Sequence, residues 1–273
     1  MDWSKAKNIL IIAFTITNIF LIINIEKNML ASKGMPMPID RTVENVVRIL
    51  EEKNMKVEGD IPRHMAPMAV LEVAYETYDE DKMMKLFGGR KDADPNGRGQ
   101  VEIINGKMLV YTNSGAKGTN GSMDHKKALN VAEKFLRAYG FMKSDVDHWR
   151  TVYHEEGYEI IFKQKYKNTF LEESYMKVVI SKTGAVRLFE RIWLRPLKAG
   201  SHKNEIIPST KALLKSVEKM GNPEEEKVIT DIALGYRFDP PNWQNVKSGT
   251  AFPVWRIVLK EGDVIFIDAY END

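Results

Sequence analysis

The chain has no cysteine among its 273 residues, which excludes disulfide staples, cysteine nucleophiles and thiolate metal sites together. It also lacks an excess of either charge: 40 basic against 38 acidic residues leave a net charge of +2. Setting aside Asp2, Lys5 and Lys7 lowers this to +1, so nothing electrostatic favours nucleic acid as a partner. Histidine is sparse. His64, His125, His148, His154 and His202 are scattered, with no pair at i, i+4 spacing, so a zinc-binding helix is excluded and each ring is predicted to be solvated or half-buried. His154-Glu155 has no second histidine and falls in a predicted hairpin.

Other catalytic signatures are incomplete. The segment Gly115-Ala116-Lys117-Gly118-Thr119-Asn120-Gly121-Ser122 is glycine-rich, but its lysine does not follow the last glycine as a phosphate loop requires. It reads as a flexible connection. Lys182-Thr183-Gly184 and Ser4-Lys5-Ala6-Lys7 match two penicillin-binding motifs in composition, yet the topology below places them on opposite sides of a membrane. Asp92, Asp94 and Asn96, with Gly97 at the sixth position, match half of a calcium loop. The twelfth position, a glutamate in such loops, is Ile103, so a Pro-Asn-Gly turn capped by aspartates is the plainer reading. No nucleophile–base pair, complete metal cluster or cofactor loop is legible, which predicts a non-catalytic chain without a cofactor.

What the chain does contain is one long apolar run, Ile9 to Ile25. At 1.5 Å per residue it reaches about 25 Å, a little short of a hydrocarbon core of about 30 Å. Trp3, Asn8 and Asn24 suit the interfacial margins. No small-x-small cleavage site follows in Glu26-Lys27-Asn28-Met29-Leu30, so a retained anchor over residues 8–25 is predicted rather than a removed signal peptide. Lysines and arginines on its two sides nearly balance. A large following domain translocates largely regardless of charge, so the compact basic tail, residues 1–7, is placed in the cytoplasm and the remainder outside.

Polar residues within the run are informative because lipid offers them no partner. Asn8, Ile11, Thr15, Asn18, Ile22 and Ile25 repeat in alternating steps of three and four, the seam of a packed helix pair. This predicts a transmembrane interaction surface made by Ile11, Thr15, Asn18, Ile22 and Ile25. The alternative is that Thr15 and Thr17 bond back to their own helix and Asn18 is tolerated.

Beyond the anchor, residues 26–39 carry Gly34, Pro36 and Pro38 without an apolar period and read as a linker. Asp40 is the expected cap of a helix running to about Lys53. Strands at Ala69–Tyr78 and Gln100–Thr112, the latter folded over Asn105-Gly106, and a short helix at Asp79–Phe87 suggest a membrane-proximal α+β domain over 40–120. The rest, 121–273, opens on an amphipathic helix, Met123–Tyr139, stopped by Gly140. Strands follow at His148–His154, Gly157–Tyr166, Tyr175–Ser181 and Ala185–Leu194. A second helix, Ser209–Met220, ends at Gly221 and precedes strands at Val228–Phe238, Phe252–Lys260 and Val264–Tyr270. The order suggests a degenerate helix-plus-antiparallel-meander repeat over about 122–200 and 205–273, with chance alignment of two amphipathic helices as the competing account.

The opening, Met1-Asp2-Trp3-Ser4-Lys5-Ala6-Lys7 running into Asn18-Ile19-Phe20-Leu21, resembles the YycI (WalI) proteins of Gram-positive bacteria. The resemblance extends through the order of parts to Phe252-Pro253-Val254-Trp255-Arg256-Ile257 and Ile267-Asp268-Ala269-Tyr270. It implies a single-pass membrane protein that, with its relative YycH (WalH), binds the sensor histidine kinase YycG (WalK) and adjusts a two-component system governing cell-wall metabolism. It further implies an extracytoplasmic α+β fold related to YycH, and control of the kinase chiefly through transmembrane helices, here residues 8–25. It implies no catalytic residue.

A different class of function is an anchored extracytoplasmic binding module similar to PepSY domains, capturing a peptide, a wall component or a secreted enzyme. Trp243, Pro240, Pro241 and Trp255 are its candidate contacts, with core and turn positions as the plainer reading.

Overall fold

A computed structural model describes residues 14, 17–18, 38–63, 65–88, 99–115, 118, 123–221 and 223–271. The expected span 8–25 lies outside the described residues except for Phe14, Thr17 and Asn18, each helical. Among the described residues no helix is long and apolar enough to cross a membrane.

Helix α1 runs Pro38–Glu51. Asp40, expected as its cap, lies inside the first turn instead, because Pro38 can open a helix where its missing N–H would have had no partner. Strands β1, Met55–Val57, and β2, Leu71–Tyr75, follow, then α2, Glu80–Gly88. Strands β3, Gln100–Ile104, and β4, Met108–Thr112, pair across Asn105 and Gly106. Both turn residues have positive φ, 52° and 70°, the mirror-image turn whose twist matches that of the strands it joins.

Helix α3, His125–Ala138, is capped by Asp124, whose side chain accepts from the Lys127 N–H. Four strands continue from it: β5, Val146–His154; β6, Gly157–Tyr166; β7, Thr169–Ser181; and β8, Val186–Ile192. They pair antiparallel in sequence order, and β4 adds to β8. Ala128, Ala132, Phe135 and Leu136 of α3 meet Ile160, Phe162, Val178 and Phe189 in one core. Phe87 of α2 stacks on Tyr139 and Tyr111 at centroid distances of 4.2 and 5.0 Å, so the segment before α3 is packed into the same core.

After β9, Leu194–Ala199, helix α4, Ser209–Met220, begins a second group with β10, Lys227–Arg237, β11, Ser248–Leu259, and β12, Val264–Asp268. One helix followed by an antiparallel meander thus occurs twice. Here β1 pairs parallel to β10, and Val46 and Leu50 of α1 join Leu213, Ile257 and Ile267 in a second core. Residues 40–120 therefore supply both cores: α1 and β1 complete the second, while α2, β3 and β4 complete the first. Trp255 is fully buried there and its Nε1 donates to the Ile207 carbonyl at 3.0 Å. It is a core residue, and its truncation to alanine is worth about 3–5 kcal/mol.

Two features join the halves into one twelve-stranded system. The start of β7 runs parallel to β10, with Phe170 beside Gly235 and Leu171 beside Tyr236. Strand β2 sits between the start of β11 and β9, over a third cluster containing Leu71, Val73, Leu171, Leu194 and Tyr236. Pro196 lies in β9, where a strand with a single neighbour tolerates a residue without an N–H.

Candidate functional site

Charged side chains are rarely buried without a reason, and the join between the halves holds several. Glu172 on β7 is fully buried and is held from both sides. Lys163 on β6 pairs with its Oε2, and Arg256 on β11 donates from Nη1 to its Oε1 at 3.1 Å. Arg256 Nη2 also donates to Asp231 on β10 at 2.7 Å. Phe170 lies 4.9 Å under the Arg256 guanidinium and Trp149 lies 4.4 Å from the Lys163 ammonium. Desolvation pushes the Lys163 pKa down, and the Glu172 charge opposes it. One residue on, Glu173 accepts from Arg237 Nε and from the Phe238 N–H, each at 3.0 Å; burial nevertheless raises its pKa. Every carboxylate here is engaged by a fixed cation or backbone donor. The cluster ties β6, β7, β10 and β11 together and offers no free base, so its chemistry is structural.

A second tie is Lys107, buried in the turn leading into β4. Its ammonium donates to the carbonyls of Trp243 at 2.8 Å and Gln244 at 2.7 Å and lies over the Tyr75 and Trp243 rings. Loss of solvent lowers its pKa. Trp243, a predicted contact, is thus half-buried under this lysine. Pro241 is exposed and Pro240 half-buried.

His64 lies outside the described residues. His125 meets Tyr158 edge-on at 5.1 Å, and His148 Nε2 hydrogen-bonds Thr151 Oγ1 at 3.0 Å. Among the described residues no three His, Cys, Asp or Glu side chains are placed to hold a metal ion. The calcium candidates Asp92, Asp94 and Asn96 and the seam residues Ile11, Thr15, Ile22 and Ile25 lie outside the described residues. Lys182-Thr183-Gly184 forms a turn, with Thr183 Oγ1 2.9 Å from Ser181 Oγ and Gly184 at φ +84°.

Two cavities border β12. One, of about 520 Å³, is lined by Arg237, Asp239, Pro240, Phe252, Val254 and Asp268, among others. The other, of about 590 Å³, lies against Lys215, Glu218 and Lys219 of α4 and Phe266 of β12. Arg237 and Asp268 border both. Phe252 is 51% exposed. Arg237 is held by Glu173 and Asp239, and its guanidinium lies 4.8 Å from the Phe266 ring centre. Sequence reasoning reached only Pro240 of this groove. Its walls come from α4, β10, β11 and β12, and no local pattern brings Lys219 to Phe266.

Comparison with known proteins gives one family. The model described as YycI protein matches residues 36–270. No curated protein matches the sequence. Among solved structures, the Bacillus megaterium YpeB C-terminal domain is similar at 13% identity and a TM-score of 0.39, covering 71% of this chain and 94% of that one. The family match begins before α1 and ends after β12, so it takes in every helix and strand described from α1 to β12, and the chain belongs to the YycI family.

Proposed function

We propose that the protein is a non-catalytic, membrane-anchored regulator of the sensor histidine kinase YycG (WalK), acting together with a YycH-like protein through packing of its transmembrane helix. Membership of a regulatory family carries the coarse reading, regulation of the YycG/WalK two-component system. The finer reading rests on the apolar run and its polar seam. Residues 1–7 lie in the cytoplasm, 8–25 span the bilayer and 38–271 fold outside it.

A helix pair can bias a kinase only if its packing free energy differs between the kinase's two signalling states. One intramembrane hydrogen bond from Asn18 contributes about 0.6 kcal/mol, enough to change a two-state ratio about threefold. Ile11, Thr15, Ile22 and Ile25 supply the packing that sets register. The charge cluster at Glu172 fits this division of labour, since its carboxylate is held by Lys163 and Arg256 and ties the two halves of the folded region together.

The test is affinity purification of the full-length chain from membranes. Co-purification of the kinase, weakened by Asn18→Leu, is the expected result. Recovery of a wall hydrolase without the kinase would replace this reading with the anchored binding module.

A further inference from the structure

Among the described residues five strands have a single neighbour, β1, β3, β5, β9 and β12, and two cavities border β12. Its pairing parity is set by two bonds: the Leu259 N–H donates to the Asp263 carbonyl and the Ala269 N–H to the Pro253 carbonyl. Odd-numbered residues therefore face β11, and Val264, Phe266 and Asp268 turn their N–H and C=O groups outward. The Phe266 carbonyl marks that open side, since Lys219 Nζ donates to it at 3.0 Å.

The surroundings define what could pair there. Lys211, on the same helix, is ion-paired with Glu271. Lys215 and Lys219 line the groove, and among the described residues neither makes an ion pair. Glu218 and Asp268 also border this cavity, but the ammonium nearest the outward backbone is that of Lys219. Phe266 is half-buried with the Arg237 guanidinium over its ring, and Phe252, on β11 beyond the end of the β12 ladder, is 51% exposed.

We propose that β12 takes an extended acidic peptide segment by strand addition. Its backbone pairs with the outward groups of Val264 and Phe266, and its carboxylate meets Lys215 and Lys219. Main-chain bonds give such a complex its affinity and side-chain pockets its selectivity. A lysine laid across an open edge is also a common guard against unwanted pairing. Here the guard is long and exposed, and a carboxylate arriving beside it would draw the ammonium from the Phe266 carbonyl.

The proposal goes beyond kinase regulation and does not depend on it. It is tested with the full-length protein in nanodiscs and a fluorescein-labelled peptide of alternating Thr and Val with a central Glu, followed by polarisation. Saturable binding is expected, weakened at least tenfold by Lys219→Glu and abolished by Val264→Pro, which removes one outward N–H. Replacing the peptide's Glu by Lys should restore binding to the Lys219→Glu protein, an outcome that loss of folding cannot mimic. No saturable binding would overturn the proposal, as would equal binding of a proline-interrupted peptide or indifference to Lys219→Glu.

Discussion

Gly235 and Glu172 compete for one volume: a Cβ added to Gly235 would lie 2.3 Å from Glu172 Oε1. The carboxylate cannot step aside, because Lys163 and Arg256 hold its two oxygens. Gly235 also stands opposite Phe170, where β7 meets β10. Glycine at this point lets two strands and a buried acid share the join.

Gly235→Ala should therefore cost about 1–3 kcal/mol through overpacking, although glycine-to-alanine changes in unstrained positions usually stabilise. Glu172→Ala should cost more, about 3–5 kcal/mol, because it leaves the buried Lys163 without its carboxylate and takes one of the two that hold Arg256. In the double variant the alanine at 235 gains the vacated space and its own penalty should largely vanish. Urea unfolding of the four proteins measures the coupling, and additive losses would show that the two residues do not compete.

Lys107 makes a separate prediction about the Trp243 loop. Lys107→Met keeps the stem beneath Tyr75 and Trp243 but removes the donors to the Trp243 and Gln244 carbonyls. A loss of about 0.5–1.5 kcal/mol is expected for the two part-buried hydrogen bonds removed. Trp243 emission should shift to the red as the loop loosens, and an unchanged spectrum and midpoint would remove Lys107 as the tie.

Alkaline stability follows from the tyrosines. Burial raises the Tyr75 and Tyr175 hydroxyls to about 12, with nearby carboxylates adding to the shift. The unfolded chain loses these protons first, near pH 10, so the fold binds them more tightly. Their contribution is complete below about pH 10 and is lost as pH rises towards about 12. Tyr175→Phe should flatten part of that decline in a series of unfolding midpoints, whereas an unchanged slope would mean that Tyr175 does not titrate as a buried group.

Local pattern disclosed much of this fold. The periodicity of α3 and α4, the Gly140 and Gly221 stops and the Asn105-Gly106 turn are all visible in sequence, because each depends on contacts a few residues apart. Three features are not. β1 has three residues, too few for a period; β9 carries Pro196 and so reads as loop; and the β7–β10 pairing is long-range and short. The same limit explains why residues 40–120 read as one unit although α1 belongs with α4 and α2 with α3. For function the balance reverses. The seam proposed around Asn18 can be read from a local apolar period, whereas the groove at β12 and the Glu172 cluster exist only once distant strands have paired.

The claim that this YycI-family chain works through its anchor is tested most directly by exchange of the span. Residues 8–25 are replaced by an unrelated transmembrane helix, 26–273 are kept, and kinase autophosphorylation is measured in membranes with and without the protein. The account predicts that the exchanged protein is inserted and folded but no longer changes kinase output. Full regulation by the exchanged protein would contradict it.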